Sequence, residues 1–355
     1  MINYQQVDVT TSRSTHPKAS LLIIYTGGTF GMAYGKSSTL IPFDFKHVIK
    51  KIPELGSLDL KITVFSFTLP IDSSNVHTNH WRAIGHIIMQ NYEEYDGFVV
   101  LHGTDTMSYS ASALSFMFQN LTKPIIFTGA QIPIGTPRSD ARDNFLTAIE
   151  IASDKKDGQA IVPEVCVYFN HRLLRANRSQ KVRSSRFGAF ESENYPDLAV
   201  SGVLIEYNTP EILRQPDEEM IYSDSFDSNV VLFKLFPNIQ QNMMEALLNI
   251  NGLKGLVIES YGSGNTPNYP WFLECLEEAN NRGIVILNVS QCIGGHVIHG
   301  RYETSRKLSQ SGVLSGSDMT TEAAITKMML LLGTYNDSEK VKRKLILPTC
   351  GEITP

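Results

Sequence analysis

Residues 21–29 read Leu-Leu-Ile-Ile-Tyr-Thr-Gly-Gly-Thr, and this stretch constrains the fold more than any other. The apolar, β-branched run is short and reads as a strand buried on both faces. It stops at Gly27-Gly28, where two glycines let the backbone turn sharply. Thr29 then stands just past the carboxyl end of a core strand, which is where open α/β sheets bind ligands. Taken alone, the stretch more often means a plain strand-to-loop turn with two polar residues.

The pattern recurs down the chain. Gly97–Leu101 is an apolar strand that runs into His102-Gly-Thr-Asp-Thr-Met107, and Met107, Ala111, Leu114 and Phe118 then mark one helical face. Pro124–Thr128 ends in Gly129-Ala-Gln, and Phe145, Ala148, Ile149 and Ala152 share a face of the helix after Ser139. Further strands are expected at Lys61–Phe67 and Glu164–Phe169, and a short helix at Phe45–Ile52. Such alternation means a mainly parallel sheet with helices on its faces, an α/β fold.

At 355 residues the chain is too long for one ordinary core. The expected division is a flexible leader (1–19), a large N-terminal α/β domain (20–207), a linker rich in Pro, Asp, Glu and Ser (208–228), and a smaller α/β domain (229–355). The smaller domain should have strands near Val230–Phe233, Gly255–Glu259 and Ile284–Val289. Its helices should lie at 239–250, at 270–282 and from Thr321 to Leu332, the last stopped by Gly333.

A net charge of -5 argues against a general nucleic-acid binder. The six cations between Arg172 and Arg186 therefore read as a solvated or subunit-contact surface. Cys166, Cys275, Cys292 and Cys350 form no Cys-x-x-Cys pair, so neither a zinc nor a redox motif is indicated, and single cysteines fit a reducing compartment. Met1–Lys18 lacks the apolar core of a signal peptide, and no apolar run approaches the ~20 residues that span a bilayer. A cytoplasmic protein with no membrane partner is expected. His77/His80 and His296/His299 lack a third ligand of suitable spacing, so no metal is expected.

Three strand-end loops carry hydroxyls or carboxylates: Thr29, Asp72-Ser73-Ser74 and Thr104-Asp105. Each has an ordinary explanation. The second could be a turn, or a cap for the helix starting near Thr78, and Asp105 could cap a helix. Together they suit an enzyme that attacks an amide, which needs a nucleophile, a proton acceptor and donors for the developing oxyanion. Thr104 with Lys155 could supply the acceptor, provided the lysine acts as a neutral amine, with Asp105 fixing its position. Lys155 would equally be surface decoration at a helix C-terminus. Backbone N–H groups around Gly28 and Gly103 are candidate oxyanion donors. Glycines at 28, 31 and 35 make Phe30–Thr39 a candidate lid.

Tyr25-Thr-Gly-Gly-Thr-Phe-Gly-Met32 and His102-Gly-Thr-Asp-Thr-Met107 resemble the two signatures of the bacterial L-asparaginase/glutaminase family, closest to its cytoplasmic type I members. The resemblance continues through Leu69–Ser74, Phe169–Arg178, Ser260–Asn265 and Gly316–Ala323. It implies hydrolysis of L-asparagine to L-aspartate and ammonia, without metal or cofactor. It places the residue that forms the acyl intermediate on Thr29, the second-signature pair on Thr104 and Asp105, and their lysine on Lys155. Substrate binding falls on Gly28, Asp72, Ser73, Ser74, Gly103, Thr104, Asp105 and Ala130. It further implies a homo-oligomer, a dimer or dimer of dimers, in which a neighbouring copy lends Asn265 to each site. Two departures stand out. The family's lid tyrosine is replaced in position by Leu40, leaving Tyr34 as the substitute. The activating second site of some members, here around Ser290, Gln291 and Cys292, has Glu259 where an arginine is usual, and an acidic side chain would repel a ligand carboxylate.

The rival readings are a glutaminase-asparaginase, a subunit of a tRNA-linked amidotransferase and a non-catalytic amino-acid binder. The amidotransferase normally carries an extra N-terminal domain, for which a first strand near residue 21 leaves no room. A binder would not need Thr29, Thr104, Asp105 and Lys155 together.

Overall fold

The computed structural model describes residues 2–10, 16–34, 40–42, 52–298 and 303–354, with backbone only for 7–10, 32–34, 40–42 and 303–305. The helix expected at Phe45–Ile52 falls almost wholly outside the described residues, as does His299. The chain divides into two units, Met1–Tyr222 and Ser223–Pro355.

The first unit is built on nine strands: β1 (Tyr4–Thr10), β2 (Ala19–Gly27), β3 (Leu60–Ile71), β4 (Gly97–Leu101), β5 (Ile125–Thr128), β6 (Val165–Phe169), β7 (Arg172–Arg175), β8 (Ala199–Ser201) and β9 (Ile205–Tyr207). Their order across the sheet is β1-β3-β2-β4-β5-β6-β7-β8-β9. The ladders from β3 to β6 are parallel, and those at either end are antiparallel. Helices α1 (Thr78–Gln90), α2 (Met107–Met117) and α3 (Ala141–Ser153) lie in the connections from β3 to β4, β4 to β5 and β5 to β6. Phe98, Val99, Val100 and Leu101 of β4 are all fully buried. A central strand covered on both faces has no need of alternation, which is why β2 and β4 read as unbroken apolar runs.

Three expectations need correction. The leader is not a flexible tail: Tyr4–Thr10 pairs antiparallel with β3, from Tyr4 opposite Phe67 to Thr10 opposite Lys61. Tyr4 also stacks on Phe65 at 4.8 Å. An edge strand can be mostly polar, and so it gives little hydrophobic signal. The proposed linker begins too early, because Arg175 and the Tyr195 hydroxyl both donate to Glu211 O, Leu213 N donates to Glu164, and Ile221–Tyr222 pairs with Phe118–Gln119. Finally, α2 has no solvent face. Ser108, Ser110, Ser112 and Ser115 are buried along with its apolar residues, and Phe118 lies beyond its end in a short strand.

The second unit is a parallel sheet of β10 (Val230–Lys234), β11 (Gly255–Ser260), β12 (Val285–Ser290) and β13 (Leu314–Ser315), in that order. Around it lie α4 (Gln241–Leu248), α5 (Pro270–Asn281), α6 (Glu303–Gln310), α7 (Thr321–Thr334) and α8 (Ser338–Leu345). Successive residues of β11 face opposite ways. Leu256 and Ile258 pack with Leu248, Phe272 and Leu276, while Val257 packs with Met328, Val341 and Leu345. Gly333 does not stop α7, which continues to Thr334. Its lack of a side chain serves a close approach instead, since a Cβ there would lie 2.2 Å from Ser225 O.

The C-terminal tail of this unit is held by a buried ion pair. Lys327 on α7 donates to Glu352 and to the Leu345 and Leu347 carbonyls, using all three of its protons. Glu352 in turn accepts from the amides of Thr349 and Cys350. Replacing Lys327 by methionine strands a buried carboxylate and two carbonyls, and should cost about 3 kcal/mol of stability. Urea unfolding of this variant and of Lys327→Met/Glu352→Gln tests the pair. The double variant should lose less than the two single losses added together, and a single-variant loss below about 1 kcal/mol would show that the pair is unimportant.

Candidate active site

Three loops at the carboxyl edge of the first sheet meet. After β2, Gly28 takes a φ of +82°, and a Cβ on it would lie 2.5 Å from Gly103 Cα. A Cβ on Gly103 would lie 2.5 Å from the Ser73 hydroxyl. Contacts this close need glycine at both positions. Ser73 O also accepts from Thr106 Oγ1 at 2.7 Å, tying the loop after β3 to the loop after β4. Thr29 opens the turn Thr29–Gly31 and is half-buried. The turn is fixed from below by Phe30, which packs edge-on against Phe145 at 5.4 Å.

Asp72 caps the turn Ser73–Asn75 by accepting from Ser74 N at 3.0 Å. It does not cap α1, whose start is held by His77 and His80. Those two rings lie 4.0 Å apart, each accepting a backbone N–H near the helix start. Among the described residues no group of three or more His, Cys, Asp or Glu could hold a metal ion. Ala130 is buried after β5, between Gly129, whose carbonyl accepts from Asn144, and Gln131, whose amide donates to Asp140. Tyr34 ends a short strand opposite Leu40, and its side chain lies outside the description.

The lysine beside Thr104 is Lys181, not Lys155. Lys181 Nζ lies 2.8 Å from Thr104 Oγ1 and 2.6 Å from Asp105 Oδ1. Its side chain is 15% exposed, while that of Asp105 is 65% exposed. Lys155 Nζ is instead 2.7 Å from Asp96 Oδ1, with both side chains about one-third exposed. Burial by itself would raise the Asp96 carboxyl, but hydrogen bonds from Lys155 and Ser20 outweigh it and hold the group below its usual value. Asp96 precedes β4 and Thr104 follows it. The two lysines are thus associated with opposite ends of a five-residue strand, a span of roughly 16 Å. The helix α3 accounts for this, because a crossover helix runs antiparallel to its strands and returns the chain to their amino edge.

Lys181 reaches Thr104 along the serines of α2. Ser115 accepts from Asn177, Ser112 donates to Ala176 O, and Ser108 bonds Ser179. These contacts lead residues 176–179 toward the start of α2, next to Thr104. The cation-rich stretch is therefore a solvated surface only in part: Arg186 is exposed, but other cations turn inward. Arg175 and Arg178 are buried, Arg175 pairs with Glu164 at 2.6 Å, and Arg172 holds Asp197 through two bonds. The spacing of 172, 175, 178 and 181, with uncharged residues between, is the trace that sequence carried of this role.

Gln131 is a further residue that sequence reasoning missed. Its Oε1 is 3.4 Å from Thr104 Oγ1, and its Nε2 donates to Arg186 O at 2.9 Å and to Ser184 O. Two carbonyls on one side of the amide fix which way round it sits.

In the second unit, Asn265 forms an isolated bridge with Tyr261 at the end of β11. Ser290 Oγ donates to Gly262 O and accepts from Cys292 N, Gln291 Nε2 donates to Leu235 O and Glu259 O, and Cys292 is exposed. The Glu259 carboxylate accepts from Thr321 Oγ1 at 2.6 Å and pairs with Lys234 at 3.3 Å.

Residues 20–213 match the family model "Asparaginase, N-terminal", and residues 229–345 match "Glutaminase/Asparaginase C-terminal domain". The chain is 38% identical over 341 residues to L-asparaginase 1 of Escherichia coli K12, covering 95% of this chain and 99% of the relative. It is 37% identical over 370 residues to the 60 kDa lysophospholipase of Homo sapiens, covering 97% of this chain and 63% of that protein. The crystal structure of L-asparaginase I from Vibrio cholerae superposes with a TM-score of 0.88 at 37% identity, over 95% of this chain and 99% of the other.

Proposed function

The chain belongs to the asparaginase/glutaminase family, and we propose that it hydrolyses the side-chain amide of L-asparagine to L-aspartate and ammonia. The observation that carries the reading is the placement of the Lys181 amine between the Thr104 hydroxyl and Asp105. A threonine hydroxyl is a poor reagent unless a base serves it, and this placement supports Lys181, acting through Thr104, in that role.

In this reading Thr29 Oγ attacks the amide carbon and its proton passes to the leaving nitrogen. The Oγ–C bond forms, the C–N bond breaks and ammonia departs. Water then attacks the ester, releasing aspartate and restoring the Thr29 hydroxyl. Thr104, Lys181 and Asp105 relay the protons, with Lys181 taking the role first given to Lys155. Asp72, Ser73 and Ser74 hold the α-amino and α-carboxylate groups, and the amides near Gly28 and Gly103 face the developing oxyanion. The protein acts in the cytoplasm as a homo-oligomer, with Asn265 of a neighbouring copy completing each site. No helix among the described residues is long and apolar enough to cross a membrane.

Ammonia release from asparagine and glutamine, measured side by side on the purified protein, tests the reading. Turnover of asparagine is expected, and its absence would overturn the proposal. One methylene separates the two substrates and changes discrimination by ~1–3 kcal/mol, so slower turnover of glutamine fits the same site. A substrate titration should be hyperbolic, because Glu259 stands turned toward Thr321 and Lys234 where a second asparagine would need a cation. Sigmoidal kinetics would show that an activating site works without one.

A further inference from the structure

The second signature begins with His102, a residue the reaction as described does not use. It is 1% exposed. Its Nδ1 lies 2.7 Å from Gly103 O and its Nε2 lies 2.9 Å from Ser110 Oγ. Ser110 Oγ is in turn 2.9 Å from Trp81 Nε1.

Burial keeps the His102 ring neutral, and for a neutral ring chemistry assigns every proton in this chain. An indole N–H can only donate, so Ser110 Oγ accepts from Trp81. The serine then spends its own proton on His102 Nε2. A carbonyl oxygen can only accept, so Nδ1 carries the ring proton and donates it to Gly103 O. The imidazole is neutral and held in one tautomer from both sides. Burial, the largest influence, lowers its pKa to about 4; the bond to Gly103 opposes the shift and the charge of His80 adds to it.

We infer that His102 is a positioning residue that fixes the peptide plane between Gly103 and Thr104. The carbonyl it grips belongs to the same planar, trans unit as the Thr104 N–H, which therefore points the opposite way. Without a side chain, Gly103 has the widest backbone freedom of any residue, and it is wedged between Gly28 and Ser73. Rotation of that one plane would re-aim the Thr104 amide and carry Thr104 Oγ1 off the Lys181 amine. The wire from Trp81 on α1 through Ser110 on α2 thus ties the catalytic turn to two packed helices, and the turn has little freedom of its own. This role rests on the proposed amidase reading for its kinetic readout only.

Two measurements test it. The first is spectroscopic and independent of activity. Long-range ¹H–¹⁵N correlation on His102 should show a neutral Nδ1–H tautomer at pH 5.5, and the Thr104 amide resonance should move in His102→Leu. An Nε2–H tautomer, a charged ring or an unmoved Thr104 amide would overturn the inference. The second is kinetic. His102→Leu should lower kcat by about 10- to 100-fold with KM within about threefold, the split expected of lost geometry rather than lost binding. His102→Asn, whose amide can still donate to Gly103 O, should recover most of that loss, and Ser110→Ala, which leaves the bond to Gly103 as the one remaining hold on the tautomer, should cost about 3- to 10-fold. A folded leucine variant with wild-type kcat, or an asparagine variant no better than leucine, would also overturn it. Should the leucine variant fail to fold, the tautomer in the native protein and in Ser110→Ala decides the matter. Should the native protein release no ammonia, the amidase reading fails, and the tautomer and the Thr104 resonance still decide the role of His102.

Discussion

Lys181→Met is expected to lower kcat for asparagine by about 10²–10⁴-fold, the range for losing a positioned acid or base, while Lys155→Met stays within about twofold of the native enzyme. Methionine keeps the length and the apolar stem and removes only the amine, so the comparison isolates the proton-transfer group. Stability should change little in the first variant, because Asp105 is 65% exposed and water replaces the lost partner. KM should change by less than kcat, since the amine acts on Thr104 rather than on the substrate's α-groups. The second variant loses a partly exposed pair with Asp96 and should cost about 1 kcal/mol of stability at most. Steady-state kinetics on both proteins, with thermal midpoints alongside, provide the check. Equal losses in the two variants, or a native kcat in Lys181→Met, would remove the amine beside Thr104 from the mechanism.

Thr29→Ala should lower kcat by about 10³-fold or more and leave L-aspartate binding within about threefold. The hydroxyl is the bond-forming atom in the proposed reaction, so its loss removes a step rather than slowing one. The fold should be unaffected. The turn that carries Thr29 is anchored by Phe30 against Phe145 and by Gly28 against Gly103, and none of these contacts uses the Thr29 hydroxyl. Calorimetric titration with aspartate and single-turnover kinetics with asparagine separate binding from chemistry. An alanine variant that keeps most of its kcat would move the nucleophile to Thr104, the hydroxyl that lies against Lys181.

Much of the architecture was legible before any coordinates. The buried strands β2 and β4 announce themselves as apolar runs ended by glycine, since strands covered on both faces must be apolar throughout. The hydroxyls at their carboxyl ends followed from the same reading. Elements with weak hydrophobic signal escaped it. β1 is a polar edge strand, and the serines of α2 are buried because each finds a partner on another element, which no local pattern records.

The lysine marks the boundary most clearly. The sequence by itself determined the parallel centre of the sheet and the strand-end loops that carry Thr29, Asp72 and Thr104. It also held, unused, the rule that excludes Lys155: a residue just after α3 must sit at the amino edge of the sheet. Only the tertiary structure decided that Lys181 is the lysine beside Thr104, through pairings of Ser108, Ser112 and Ser115 with residues 176–179, about 60 to 70 positions away in the chain. Side-chain hydrogen bonds between distant segments leave no periodicity, so composition and spacing show the charge of such a residue but not the place to which the fold carries it.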